Sequence, residues 1–233
     1  MAETLIEIFE YSTREYSDRV VSEREVGESG LRSYTYEEFG RKSRGVAQKL
    51  SDLGIRPGSR VGILSDNRPE WGISFFGVLL AGGVVVPLDI RLKPAEIANI
   101  LERSEMRTCV VGQEALGTLK EARLSAPVLE HFFLMDSPDF GLFAKEDPLP
   151  VTLHDSSSVA VISFSSGTTG TPKGVMLSHR NLASNITSVL ELCIFDTEAT
   201  LLSILPMHHA FELTAGFLTP FAKGVKVSYL DAV

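Results

Sequence analysis

Short apolar runs alternate with helical patterns along this chain, and that order predicts an α/β fold of mostly parallel sheets flanked by helices. Three observations carry the prediction. RVGIL, VVVPL, RTCVV, HFFLM and SVAVISF are strand-length and apolar at consecutive positions, as strands covered on both faces are. Helix-start signals stand between them: a capping box at Thr35 and prolines at Pro69 and Pro94. Hydrophobic residues make up 44% of 233 and charged residues 22%, enough apolar material for a sizeable core in an ordinary globular chain.

Taken in order, a first helix is expected over Glu3–Tyr16, then short strands near Val20–Ser22 and Leu31–Tyr34 with a Gly-Glu-Ser-Gly turn between them. In TYEE, the Thr35 hydroxyl accepts the Glu38 backbone N–H and the Glu38 carboxylate reaches back, so a helix begins here. It runs to about Leu53, where Gly54 supplies a left-handed stop. RVGILSDN is a strand entering a polar turn, and Pro69 opens a helix to about Ala81. VVVPLD is the next strand, PAEIANILERSE a helix, RTCVVG a strand, Glu114–Arg123 a weaker helix and HFFLMD a strand. Pro138–Asp155 reads as a connection. SVAVISF is then a buried strand, with a helix from Ser178 to Phe195. LLSILP is a strand, HAFELTAGFLTPFAKG a helix and KVSYLD a last strand.

Composition excludes some functions. A formal net charge of -8 argues against general affinity for nucleic acid. It leaves an anionic ligand open, because one lysine and oriented amides outweigh a global field locally. Cys109 and Cys193 are far apart in apolar surroundings and read as reduced core residues of a cytoplasmic protein. The start, MAETLIEIFEYSTREY, is acidic where a signal peptide is basic. Trp71–Leu88 is uncharged, but Gly82-Gly83 splits it and Pro87 ends it, so a buried helix and strand explain it better than a membrane span.

SFSSGTTGTPKGVMLSH, Ser163–His179, is the stretch with chemistry in it. Glycines let successive N–H groups face one point, forming an anion cradle without net charge. Ser165, Ser166, Thr168, Thr169 and Thr171 add hydroxyl donors, and Lys173 adds one full charge. A strand feeding such a loop ahead of a helix is the setting in which phosphate loops work. The Walker pattern is not met, since Lys173 precedes Gly174, and G-x-G-x-x-G is absent. A flexible surface turn is the alternative. Downstream, His208, His209 and Glu212 raise the thought of zinc. Adjacent helical residues point about 100° apart and no HExxH exists, so no metal ligand is assigned. His131, His154 and His179 read as solvated or capping residues.

FSSGTTGTPKGV resembles the phosphate-binding signature of the adenylate-forming superfamily, which includes acyl-CoA synthetases, luciferases and peptide-synthetase adenylation domains. Phe164 through Gly174 match that long and specific motif position by position. LPMHHAFE, Leu205–Glu212, resembles the family's leucine-proline-x-x-histidine segment, with His209 in the histidine position. Glu212 after an aromatic is similar to the long-chain fatty acid–CoA ligases in particular. SYTYEEF, GSRVGILSDNRPEW and LLAGGVVVPLD resemble the family's N-terminal half. The resemblance implies an acyl-CoA synthetase-like N-terminal domain, and that residues 1–233 are its incomplete AMP-binding portion without the small C-terminal domain that carries a catalytic lysine.

It further implies ATP, Mg2+ and coenzyme A as cofactors or co-substrates and a fatty acid or other carboxylate as partner. Ser165, Ser166, Gly167, Thr168, Thr169, Gly170, Thr171 and Lys173 would hold the phosphates. His209 would be catalytic, and His209 and Glu212 would lie at the substrate. The family's adenine- and magnesium-binding segment, ribose-binding aspartate, hinge and lysine are not found here, so the piece alone is expected to be inactive. Alternatives are an acyl-acyl carrier protein synthetase, another carboxylate-activating ligase, or a non-catalytic nucleotide-binding module. A cytoplasmic location with peripheral membrane contact fits long-chain substrates, although no basic amphipathic helix is evident.

Overall fold

A computed structural model describes residues 2–25, 30–142, 155–165, 173–192 and 196–230. The α/β expectation holds, and the strands divide into two sheets. The larger sheet has six strands in the order β6-β5-β3-β4-β7-β8: β3 Arg60–Leu64, β4 Val84–Leu88, β5 Thr108–Val111, β6 His131–Leu134, β7 Val159–Ser165 and β8 Lys173–Ser178. All its pairings are parallel except β7 with β8. The smaller sheet, β2-β1-β10-β9, joins the two ends of the chain. In it β1 Val20–Glu25 pairs antiparallel with β2 Leu31–Thr35 and parallel with β10 Lys226–Tyr229, which pairs parallel with β9 Thr200–Ser203.

Strand alternation sorts the core into two layers. Val61 and Ile63 of β3, Val85 of β4 and Val110 of β5 join one apolar cluster with the helices α1 Leu5–Glu15, α2 Tyr36–Asp52 and α3 Pro69–Leu80. Leu64, Val86, Cys109 and Val111 face the opposite cluster, under α4 Pro94–Arg103 and α5 Leu116–Ser125. Every residue of α3 and of β4 is buried, so the uncharged run from Trp71 is a core helix and strand. No helix among the described residues is long and apolar enough to cross a membrane.

Local signals act as expected. Thr35 and Glu38 form the reciprocal capping box of α2, and Gly54 closes the helix at φ 86°. Pro69 and Pro94 stand in the first turns of their helices. One expectation needs correction and one is narrowed. KGVMLS is an edge strand, so α6 His179–Leu192 begins a full strand beyond Lys173 and not directly after the loop. For His179, read as solvated or capping, the capping alternative holds. His179 is 0% exposed, and its Nδ1 accepts the Leu5 N–H at 3.4 Å, which caps the first turn of α1 from across the chain. His131 is exposed; His154, Cys193 and most of the Pro138–Asp155 connection lie outside the described residues.

The helix after β9 is interrupted. Glu212–Leu218 is a π-helix, with the Thr219 N–H donating to the Thr214 carbonyl, before α7 Thr219–Lys223. Pro220 explains this: it has no N–H, and its ring would crowd the carbonyl four residues earlier, so a widened turn relieves the clash.

Candidate active site

The Gly-rich stretch joins two described strand ends. Ser165 of β7 is paired with Lys173 of β8, and Phe164 with Gly174. Gly174 is a packing position: a Cβ there would come within 2.9 Å of the Ile162 methyl and 3.3 Å of the Phe164 ring. Phe164 in turn packs against the core beneath α4 and α5. The outer residues of the motif therefore build the hairpin. Lys173 is exposed at its end. Ser166, Gly167, Thr168, Thr169, Gly170 and Thr171, and the Ser165 side chain, lie outside the described residues.

Topology brings the second motif to the same edge of the large sheet. Parallel β4 and β7 pair at Val85 and Val161, so the carboxyl end of β7, with Ser165 and Lys173, lies beside the carboxyl end of β4. Asp89 follows β4 directly. His208 Nε2 stands 3.4 Å from Asp89 Oδ2, without the alignment of a hydrogen bond. Carboxyl ends of parallel strands are where open α/β sheets bind ligands.

Burial pushes the His208 imidazole down to about 4, with Asp89 only partly opposing it, so the ring is neutral at pH 7. Burial opposes ionisation of Asp89, yet hydrogen bonds from Arg91 hold its carboxyl below the usual range. His209 is exposed, its ring centroid 4.2 Å from that of His208. A cavity of about 310 Å³ opens beside them, lined by Asn67, Ile90, Arg91, Ser203 and His208 among others. His208 is thus on the cavity wall, and His209 is exposed next to it.

Glu212 is buried at the start of the π-helix, where its Oε1 accepts the Ser203 hydroxyl at 2.7 Å. Burial raises its carboxyl, and the Ser203 hydrogen bond partly offsets this. Gly216 leaves room for the carboxylate: a Cβ there would come within 2.4 Å of it. Among the described residues no hydrogen bond or ion pair joins Lys173 to His209 or Glu212, and no group of three His, Cys, Asp or Glu is arranged to hold a metal ion.

What sequence reasoning missed is the turn Ser65–Glu70. Asp66 Oδ2 pairs with Arg24 at 2.8 Å, and Asn67 bonds to Ser203, Leu205 and Met207. Arg68 bonds to Glu70 at 3.0 Å and Asp136 at 2.8 Å, and Glu70 accepts Tyr34 Oη–H at 2.8 Å. The clustering of four consecutive polar residues, SDNR (Ser65–Arg68), with Glu70 after Pro69, between an apolar strand and an apolar helix was the available signal.

Comparisons place this geometry among known proteins. 4-Hydroxybutyrate–CoA ligase 2 of Metallosphaera sedula is 32% identical over 195 residues, covering 76% of this chain and 35% of the relative. 4-Coumarate–CoA ligase-like 9 of Oryza sativa subsp. japonica is 33% identical over 211 residues, covering 85% of this chain and 37% of the relative. The chain therefore spans little more than a third of the length of these relatives. Among solved structures, the inhibitor-bound N-terminal domain of FACL13 from Mycobacterium tuberculosis superposes with a TM-score of 0.88 at 24% identity, covering 97% of this chain and 57% of that one. The fatty acyl-adenylate ligase from L. pneumophila, in complex with acyl adenylate and pyrophosphate, gives 0.83 at 22%, covering 99% and 40%. At these identities the likeness shows the fold. A family model described as AMP-binding enzyme matches residues 9–233, and the chain belongs to that family.

Proposed function

We propose that these residues supply the N-terminal part of an AMP-forming acid–thiol ligase, which activates a carboxylate with ATP and passes the acyl group to the thiol of coenzyme A. The carrying observation is the hairpin end at β7–β8, where Lys173 stands beside the carboxyl end of β4 and on the same sheet edge as the His208–Asp89 pair. The carboxylate oxygen attacks the α-phosphorus, the bond to the bridging oxygen breaks, and pyrophosphate leaves. The thiolate then attacks the acyl carbon and AMP leaves. A carboxylate and a triphosphate repel, so positioning and charge neutralisation supply the rate.

Lys173 and the hydroxyls and amides of 165–171 would hold the β- and γ-phosphates, each charged hydrogen bond worth roughly 1.5–3 kcal/mol. Mg2+ would enter with the triphosphate and neutralise part of its charge. No described residue of this chain is assigned to it, and no step here depends on one. His209, exposed beside the neutral His208, would face the acyl carboxylate. The finer reading is a long-chain fatty acid, supported by Glu212 following Phe211. Relatives named for hydroxybutyrate and coumarate favour a short or aryl acid as the second reading.

The test has two parts. MgATP added to the 233-residue chain shifts the amide resonances flanking 165–173, and Lys173→Met weakens that binding about tenfold or more. Pyrophosphate release is then measured across carboxylates of rising length and aryl acids, in the chain alone and in a polypeptide extended by the family's later segments. Release only from the extended polypeptide, and best with long-chain acids, fits the proposal. Rapid release from the chain alone, or no response to MgATP, sinks it.

A further inference from the structure

Asn67 commits its whole carboxamide to the segment that carries the histidines. Nδ2 donates to the Leu205 carbonyl at 2.7 Å and to Ser203 Oγ at 2.9 Å, and Oδ1 accepts the Met207 N–H at 2.9 Å. A backbone N–H only donates and a carbonyl only accepts, so these partners fix which way the amide faces. With Ser203 Oγ receiving a hydrogen from Asn67, its own hydrogen passes to Glu212 Oε1 at 2.7 Å. The donor direction runs Asn67 to Ser203 to Glu212, and Glu212 Oε1 is the acceptor whichever protonation state its carboxyl holds.

The segment needs such a clamp. Residues 204–209 lie in neither helix nor strand, and Ile204 and Leu205 are exposed. Met207 is buried and anchors one point by apolar contact, but one buried side chain does not set the path of the backbone on either side. Asn67 touches positions 203, 205 and 207, and is itself flanked by Asp66 paired with Arg24 and by Arg68 paired with Asp136. The clamp is therefore mounted on a turn fixed from both sides.

We propose that Asn67 is a positioning residue for carboxylate activation: it sets where the 203–207 backbone delivers His208, His209 and, through Ser203, the Glu212 carboxyl. This rests on the ligase reading above for its purpose, while the clamp itself is read without nucleotide. It touches no reacting atom.

The experiment compares Asn67→Asp and Asn67→Ala in the 233-residue chain, by amide hydrogen exchange and the ring ¹H–¹³C resonances of His208 and His209. Asn67→Asp keeps an oxygen opposite the Met207 N–H and loses both donors. Met207 protection is then expected within a few-fold of the parent, while both histidine rings shift because Ser203 and Leu205 are released. Asn67→Ala loses the acceptor as well, so Met207 exchange accelerates roughly tenfold or more, with the same ring shifts. Amides of β3 and β10 keep their protection in both. Ring resonances that stay at the parent positions, or an acceleration spread evenly over the whole fold, overturn the proposal. Neither readout requires pyrophosphate release, so failure here leaves the ligase reading standing, and failure of that reading leaves these spectra as they are.

Discussion

Asn67 and Ser203 connect the backbone beside His208 to the Glu212 carboxyl, and the titrations of His208 and Glu212 pull stability in opposite directions. The His208 imidazole is held at about 4 in the folded chain against 6.5 in its ordinary state. The unfolded chain therefore binds the proton first, and the stability His208 contributes is full above pH 6.5 and lost as pH falls toward 4. The amount is at most about 3 kcal/mol. His208→Asn is expected to flatten urea midpoints across that window; a parent-like slope in the variant counts against burial as the cause. Glu212 behaves inversely, because burial raises its carboxyl above 4.5. Its cost is absent below pH 4.5 and grows as the group ionises. Glu212→Gln, which still accepts from Ser203, is expected to be more stable than the parent at pH 7 and no different at pH 4. Neither histidine's surroundings were legible in the sequence. LPMHHAFE names two histidines, but nothing local in it says that His208 lies largely covered beside Asp89, from a strand end far away in the chain, while His209 stands in solvent.

At the scale of the element, the hairpin β7–β8 separates what the motif does for architecture from what it does for chemistry. Phe164 lies across Gly174 and gives the edge strand a partner it cannot supply for itself. Gly174→Val should push its methyls into Ile162 and Phe164 and destabilise the fold by about 1–3 kcal/mol, read from urea unfolding, with Lys173 displaced as well. Helix starts and stops were legible because they are local: Thr35 with Glu38, Pro69, Pro94 and Gly54 each act within one turn. β8 was not, because KGVMLS is short and leads directly into a helical pattern, and strand and helix compete evenly over so few residues. The π-helix was also hidden. A proline near a helix end commonly ends it, and here the chain absorbs Pro220 by widening the turn before it, which leaves Glu212 facing Ser203.

For the whole molecule, the division into two sheets had no local signature, since β1 pairs with β10 from the far end of the chain. Beside the apolar cluster that Val21, Val227 and Tyr229 share with β3 and β4, the turn Ser65–Glu70 ties the sheets together by polar contacts. Asp66 reaches Arg24 of β1, Asn67 reaches the segment after β9, and Glu70 reaches Tyr34 of β2, while Arg68 reaches Asp136 beyond β6. Arg68 and Glu70 are buried, and burial opposes both charges, but each holds the other ionised: the guanidinium keeps Glu70 below the usual carboxylate range. A buried pair of this kind is worth little net, yet removing one partner strands the other. Arg68→Met is accordingly expected to cost about 3–5 kcal/mol, because Glu70 is left charged and enclosed with only Tyr34 and the distant Arg32 to answer it. Adding Glu70→Gln removes the stranded charge while keeping an acceptor for Tyr34, and should restore most of the loss at an unchanged urea slope. Asp136, a third exposed, rehydrates in either variant. Recovery in the double variant means that the pair orients the sheets without stabilising them. If the double variant stays as weak as Arg68→Met, the Arg68 stem and its bond to Asp136 carry the junction, and the buried Arg68–Glu70 pair does not set the carboxyl-end edge that bears Lys173 and His208.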